Sequence, residues 1–314
     1  MKNNIGIDIS KRDFHVCFSE NRDIHKFNND HEGIDSFLKY LKNIRMTKKS
    51  TLLGLESTGS YHLQVAYLCT AKGYTVNVIN PLMVNKQNKI SLRRVKTDAH
   101  DAALIRYCLM QGMGFPFRDT AKSLTLKMLV RERAYLSNLR VQTKLRAQEV
   151  SHRESYLNVS IPSVRKDFCD FLDEKIKGLD KLLRKYDRDT QKLLQSIPGI
   201  GPQTAVTFVS EIGDISRFER PDQLVAYVGL DPRVHQSGTS INGKGYISKR
   251  GSNLLRTRLF NAASVAVIHP PNLFYDFFQK KRSEGKPYRV ALCAVMRKMV
   301  HVVHAVWSRG TPFV

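Results

Sequence analysis

Asn4-Ile5-Gly6-Ile7-Asp8-Ile9-Ser10 is a short apolar run that delivers one acid near its end. Runs of this length bounded by turn residues read as strands. Residues 15–19 and 24–27 follow at hairpin distance, with Asn21-Arg22-Asp23 between them as turn material. Ile34, Phe37, Leu38 and Leu41 then fall at helical spacing. Residues 51–55 form a buried-type strand ending at Glu56, and residues 57–60 open a helix that runs through Ala71 to a stop at Gly73. Residues 74–79 make a further strand, closed by Asn80-Pro81. A basic connector then leads to a helix carrying Asp98 and Asp101, with Thr97 as its N-cap. Three strands, helix, strand, helix, strand and a late acidic helix is the order of the α/β ribonuclease H fold, in which the first strand is central and the fourth lies beside it. On that order Asp8 and Glu56 project from neighbouring strand ends, and the acidic helix closes over them.

From Ser57 to Arg118 the only acids are Asp98 and Asp101, in V-K-T-D-A-H-D-A-A-L-I. Lys86, Lys89, Arg93, Arg94, Lys96 and Arg106 surround them. Helical residues three apart share a face with Cβ atoms about 5–6 Å apart. Carboxylates so placed repel each other unless a cation lies between them. With Asp8 and Glu56 they suggest a divalent-metal site for phosphate chemistry; the plainer alternative is an amphipathic helix with two solvated acids. An all-carboxylate oxygen site suits Mg²⁺ better than zinc.

Lys and Arg number 51 against 28 acids, a net charge of +23 over 314 residues. That length exceeds the growth of a single core, so two or more domains are expected. A charge this large opposes compaction unless a polyanion neutralises it, and nucleic acid is the simplest such partner, bound with steep salt dependence. Cys17, Cys69, Cys108, Cys169 and Cys293 are widely spaced without a C-x-x-C pair. They fit reduced thiols in a cytoplasmic protein and argue against zinc, as does the lack of metal-ligand spacing among the ten histidines. No apolar signal core is evident and no run approaches the roughly 18 apolar residues of a membrane span. A cytoplasmic, nucleoid-associated protein without a membrane partner is expected.

Leu172, Ile176, Leu179, Leu183, Tyr186, Thr190, Leu193 and Ile197 alternate steps of four and three, a heptad seam. It reads equally as an intrachain hairpin with a helix over 123–150 or as a self-association surface. Ser196-Ile197-Pro198-Gly199-Ile200-Gly201-Pro202 lies between two helical stretches, and its two glycines allow a tight turn whose N–H groups can face phosphate. This looks like a helix-hairpin-helix. The rest reads as helical, broken at Pro270-Pro271, with a last helix over 290–307. Three parts follow: an α/β domain over 1–120, long coiled-coil helices over 121–195, and a mostly α domain with the helix-hairpin-helix over 196–314. Between Asp231 and Asp276 no acid occurs, while Arg233, Lys244, Lys249, Arg250, Arg256 and Arg258 do. Ser237, Thr239 and Ser240 are hydroxyls in this glycine-rich, electropositive setting. A serine attacking a phosphodiester needs its proton removed and the developing charge neutralised, and Arg and Lys supply the second requirement; Ser-Gly is also an ordinary turn.

The ordered set GIDISK with Asp8, LESTGSY with Glu56, KTDAHDA with Asp98 and Asp101, IPGIGPQTA, AYVGLDP, HQSG with Ser237, ISKRGSNLLR and GKPYRVALCAVMRK resembles the Piv/MooV-type DEDD transposases. This is the insertion sequence 110 family of site-specific recombinases, and the resemblance covers nearly the whole chain. It implies a RuvC-like N-terminal domain in which Asp8, Glu56, Asp98 and Asp101 hold Mg²⁺, as two ions roughly 3.5–4 Å apart in sites of this type. It implies a transposase domain whose serine, matched by Ser237 with Ser240 in reserve, becomes joined to DNA. It further implies a coiled coil between the domains, double-stranded donor and target DNA as substrates, and a dimer or tetramer with composite active sites. Many members use a structured bridge RNA that pairs with both DNAs; others are invertases. Nucleic-acid contacts are expected from Arg93, Arg94, Lys96, Gly199, Gly201, Lys244, Lys249, Arg250 and Arg256. The rival readings are a hydrolytic nuclease or junction resolvase on the same fold and a noncatalytic nucleic-acid-binding protein. A sugar kinase-like ATPase is disfavoured, because Ile-Ser-Lys follows Asp8 where a phosphate-loop glycine belongs.

Overall fold

Alternation along β1 (Asn3–Ile9) sets the architecture of the N-terminal part: Ile5, Ile7 and Ile9 are buried on one face, while Gly6 and Asp8 belong to the other. β2 (Asp13–Cys17) pairs antiparallel with β1, and β3 (Ile24–Asn28) pairs antiparallel with β2. On the other side β4 (Thr51–Glu56) runs parallel to β1 and β5 (Thr75–Ile79) parallel to β4, with the short β6 (Phe115–Pro116) antiparallel at the edge. The mixed sheet therefore has the order β3-β2-β1-β4-β5-β6, that of a ribonuclease H-like domain. The computed structural model describes residues 3–19, 23–57, 59–90, 98–157, 164–232, 236–237, 241–242 and 246–314, and the chain divides into two units, Met1–Ala121 and Lys122–Val314.

One face of the sheet is covered by α1 (His31–Asn43) and α2 (His62–Ala71). Ile5, Ile7, Phe14, Val16, Leu53 and Leu55 pack there against Ile34, Phe37, Leu41, Val65 and Ala66. Asp30 caps α1 by accepting from the Gly33 amide at 2.7 Å. The opposite face carries α4 (Asp98–Met110), with α3 (Pro81–Ile90) beside it; Ile79, Val84, Ile105, Cys108 and Leu109 form that smaller core. α3 occupies much of the stretch expected as a basic connector. Asn80-Pro81, read as a strand stop, is also a helix start: Asn80 Oδ1 accepts from the Leu82 amide at 2.9 Å, and proline suits the first helical position. The Thr97 N-cap falls outside the described residues.

The second unit is helical: α5 (Ala121–Leu157), α6 (Val164–Leu183), α7 (Arg188–Gln195), α8 (Pro202–Ile212), α9 (Pro221–Val228), α10 (Asn253–Ala266), α11 (Leu273–Ser283) and α12 (Tyr288–Arg309), with a ribbon of β7 (Gln236–Ser237) and β8 (Ile241–Asn242). Arg133 Nε donates to Asp180 at 2.9 Å and Arg140 Nη2 to Asp173 at 2.8 Å, an antiparallel pairing of α5 with α6. The heptad seam is not one helix. α6 ends at Leu183, Asp187 is left-handed at φ 41°, and α7 restarts at Arg188, so Tyr186 lies in the break. Gln191 stabilises the break by donating to the Leu183 carbonyl at 3.0 Å. Leu172, Ile176, Leu183 and Ile197 of the seam are buried within the chain itself, which favours the intrachain reading. α12 overturns the expectation that no segment approaches membrane-spanning composition: its 22 residues are long and apolar enough. It is instead a core helix, with Leu292, Val295, Met296, Met299 and Val303 buried against α7, α9, α10 and α11.

Candidate active site

Gly6 on β1 pairs directly with Gly54 on β4, on the face that α4 covers. A Cβ on Gly6 would stand 2.2 Å from the Ala102 carbonyl oxygen and 2.3 Å from the Arg106 amide nitrogen, and one on Gly54 would stand 3.0 Å from Leu109 Cδ2. α4 therefore rests on bare strand backbone, tied there by Arg106 Nε donating to the Asn4 carbonyl at 3.0 Å. Strand residues two apart share a face. Asp8 follows Gly6 and Glu56 follows Gly54 on this same side, one step past the Ile7–Leu55 pair. Asp98 and Asp101 occupy the first turn of α4, where the helix dipole favours carboxylates. Gly6→Ala is expected to lift the helix at an overpacking cost of about 1–3 kcal/mol or more. Calorimetry should show a lowered Tm; an unchanged Tm would mean the helix does not depend on that contact.

Electrostatics link the four acids. Burial pushes the Asp8 carboxyl up to about 7, and repulsion from Asp101, Asp98 and Glu56 adds to it in that order. A backbone hydrogen bond at Ile9 favours its ionised form. Glu56 is raised by burial and then by Asp101. The carboxylates feel one another without clasping a point: among the described residues no three His, Cys, Asp or Glu side chains are placed to hold an ion as they stand. Asp98 instead lies 3.8 Å from Nδ1 of His15, a residue of β2. A half-buried set of mutually repelling carboxylates still has the chemistry of a hard divalent cation site, since clustered oxygen donors are what Mg²⁺ takes.

Ser237 lies in β7, which pairs with β8 within the helical unit. At the base of this ribbon Pro232 bridges Ile247, the Ser248 amide donates to the Asp231 carbonyl at 2.8 Å, and Ser248 Oγ donates to the Asp231 carboxylate. Farther out Gln236 pairs with Asn242 and Ser237 with Ile241. Arg256, expected at the DNA, donates through Nη1 to the carbonyls of Val228 at 2.9 Å and Gly251 at 2.8 Å, which fixes the ribbon base. Burial lowers its pKa. Lys249 and Arg250 are exposed beside that base. Ser240, Lys244, Arg93, Arg94 and Lys96 lie outside the described residues.

Gly199 and Gly201 sit in the turn between α7 and α8. Gly199 has φ 85°, and a Cβ there would stand 2.3 Å from the Ala262 carbonyl oxygen, so this glycine serves close packing on α10. Gly201 is the N-cap of α8 with open space around its Cα. The motifs in the sequence single out neither His15 nor the Gly6–Gly54 pair. The signal for them is strand alternation, which puts Gly6, Asp8 and their cross-strand partners on one face.

Two family profiles match the chain. A DEDD profile of the IS110 type, described as "Transposase", covers residues 5–150, and one described as "Transposase IS116/IS110/IS902 family" covers residues 191–279. The first spans all four acids and the second spans Ser237. The chain is 28% identical over 316 residues to a "Pilin gene-inverting protein" of Moraxella bovis, covering 99% of this chain and 98% of that one. It is 44% identical over 131 residues to the "Transposase for insertion sequence element IS1111A" of Coxiella burnetii, 41% of this chain and 35% of the relative. The "Transposase for insertion sequence element IS1328" of Yersinia enterocolitica is 24% identical over 343 residues, 98% of each chain.

Proposed function

Because this chain belongs to the IS110/IS116/IS902 family of insertion-sequence transposases, we propose that it cuts and rejoins DNA through a covalent link between Ser237 and a backbone phosphate, with Mg²⁺ held by Asp8, Glu56, Asp98 and Asp101. DNA transposase or recombinase activity itself follows from the family and from relatives named for DNA inversion and transposition. The observation that supports the metal assignment is placement: Asp8 and Glu56 end neighbouring strands on the face that α4 covers, and the first turn of α4 carries Asp98 and Asp101. Bound Mg²⁺ would neutralise charge developing on the phosphate oxygens.

Ser237 Oγ attacks phosphorus and gives up its proton; the Oγ–P bond forms as one backbone P–O bond breaks, and the departing oxygen takes a proton to become a free hydroxyl. Attack of another strand's hydroxyl on the same phosphorus then releases the serine, so exchange needs no ATP. Exposed Lys249 and Arg250, with Lys244, Arg93, Arg94 and Lys96, neutralise DNA phosphates, and the open N-terminus of α8 at Gly201 faces backbone phosphate in the manner of a helix-hairpin-helix. Residues 1–120 act as the catalytic domain, 121–195 as the helical connector and 196–314 as the transposase domain. The protein works as a dimer or tetramer on double-stranded donor and target DNA, guided by a structured RNA encoded beside its gene; the net charge of +23 suits a load of more than one nucleic acid.

Covalent capture tests the reading. Protein, RNA transcribed from the flanking DNA, Mg²⁺ and labelled element-junction DNA are mixed, denatured and resolved. A protein–DNA adduct is expected; cleavage without any adduct would make the protein a metal-dependent nuclease. The metal site has a separate signature in pH. Asp8, raised to about 7, is protonated below that value, and Mg²⁺ must displace its proton. Calorimetric titration in buffers of different ionisation enthalpy should show release of about one proton near pH 6 and almost none at pH 8, with affinity rising as pH rises toward 7. Affinity flat across that range would remove Asp8 from the site.

A further inference from the structure

The four-carboxylate metal site is the premise of a narrower assignment, that the acids are not the whole donor set. His15 stands directly opposite Asp8 in the β1–β2 register. Antiparallel partners put their side chains on one face with Cβ atoms about 4.5–5.5 Å apart. That face is the one on which Gly6 and Gly54 admit α4, and α4 packs on β2 as well as on β1. The next residue across the sheet is Lys26, paired with His15 in register but engaged by Asp13 at 2.8 Å. A polar row thus crosses four strands, Lys26, His15, Asp8 and Glu56, and within that row the imidazole is the basic group next to the acids.

The imidazole also reaches the other wall of the site. Its Nδ1 lies 3.8 Å from Asp98 Oδ2, with the histidine side chain 18% exposed and the aspartate 66%. That separation exceeds a hydrogen bond, so the ring is not locked to the carboxylate. It has one acid, Asp8, opposite it on the neighbouring strand and another, Asp98, near it on the helix. We propose that His15 lends a nitrogen donor to the divalent ion held by Asp8 and Asp98, and thereby shifts the preference of the site from Mg²⁺ toward Mn²⁺. Mg²⁺ takes oxygen ligands almost exclusively, whereas first-row transition ions accept imidazole beside carboxylate.

Mn²⁺ is both the test ion and the reporter. Pulsed electron paramagnetic resonance on the full-length protein loaded with Mn²⁺ should show ¹⁴N coupling from a directly bound imidazole. The coupling should vanish in His15→Gln and persist in His100→Gln, whose position two residues past Asp98 lies on a different helix face. His15→Gln should weaken Mn²⁺ by about 10-fold and Mg²⁺ by no more than about 2-fold, within the range seen when groups around a metal are lost. Bound Mn²⁺ without nitrogen coupling, or coupling that survives in His15→Gln, overturns the assignment and leaves the carboxylate site standing. Failure of Mn²⁺ to bind, or binding unaffected by Asp8→Asn, would instead remove the carboxylate site and the histidine with it. The wild-type spectrum decides the point even if the variant folds poorly.

Discussion

Ser237→Ala is expected to abolish the covalent protein–DNA species, lowering strand exchange by on the order of 10⁴-fold or more, as deletions of an attacking hydroxyl do. DNA affinity should stay within about 2-fold, because phosphate contacts by Lys and Arg dominate binding. Ser237 lies on a strand paired with Ile241, in a ribbon whose base is held by Asp231, Ser248 and Arg256. Alanine leaves that backbone pairing intact, so loss of the adduct would report the missing Oγ and not a collapsed ribbon. The readout is the denaturing gel of the capture assay beside a binding titration. If the adduct persists in Ser237→Ala and disappears in Ser240→Ala, the nucleophile moves to Ser240.

Asp101→Asn should separate activity from stability. Asp101 is the first electrostatic influence on both Asp8 and Glu56. On the proposed metal site, asparagine replaces an anionic carboxylate donor with a neutral amide, and Mg²⁺-dependent cleavage should fall by about 10³-fold or more. In metal-free protein the same change relieves repulsion. A carboxyl raised from its ordinary value to about 7 makes the fold less stable as pH rises through that interval, because the native state then holds a proton the unfolded chain has released. The neutral amide shrinks the shift, so the variant should melt above the wild type at pH 8 without metal while being nearly inactive with it. Calorimetry and labelled-strand cleavage measure the two halves, and undiminished cleavage in Mg²⁺ would exclude Asp101 from the chemistry.

The N-terminal fold is legible because strand alternation is written in residues with one purpose each: Ile5, Ile7, Leu53 and Leu55 for one face, Gly6, Asp8, Gly54 and Glu56 for the other. The four acids can be found for a related reason, since Asp8 and Glu56 end apolar strands and Asp98 and Asp101 stand out in a basic stretch. α3 is hidden because Asn80-Pro81 closes a strand and opens a helix with the same two residues. The seam through Tyr186 reads as too long because periodicity does not register the left-handed turn at Asp187, which Gln191 supports by reaching back eight residues to Leu183. Arg256 and Gly199 look from composition like phosphate contacts. Their partners, carbonyls at the ribbon base and the backbone of α10, are set by tertiary packing that no local pattern records. His15 escapes notice because its importance comes from register with Asp8 and not from any motif.

The paired glycines give the site an unusual mutational profile. Ile5 or Leu53, on the far face, can be exchanged for a neighbouring aliphatic at about 0.5–1.5 kcal/mol, a cost that repacking shares out. Every replacement of Gly6 is larger than what it replaces, and its first added atom meets main-chain atoms of α4 that have no rotamer to change. A strand position without a side chain should thus tolerate as little variation as the carboxylates beside it, and a survey of single substitutions should mark Gly6 as sharply as the acids of the proposed site.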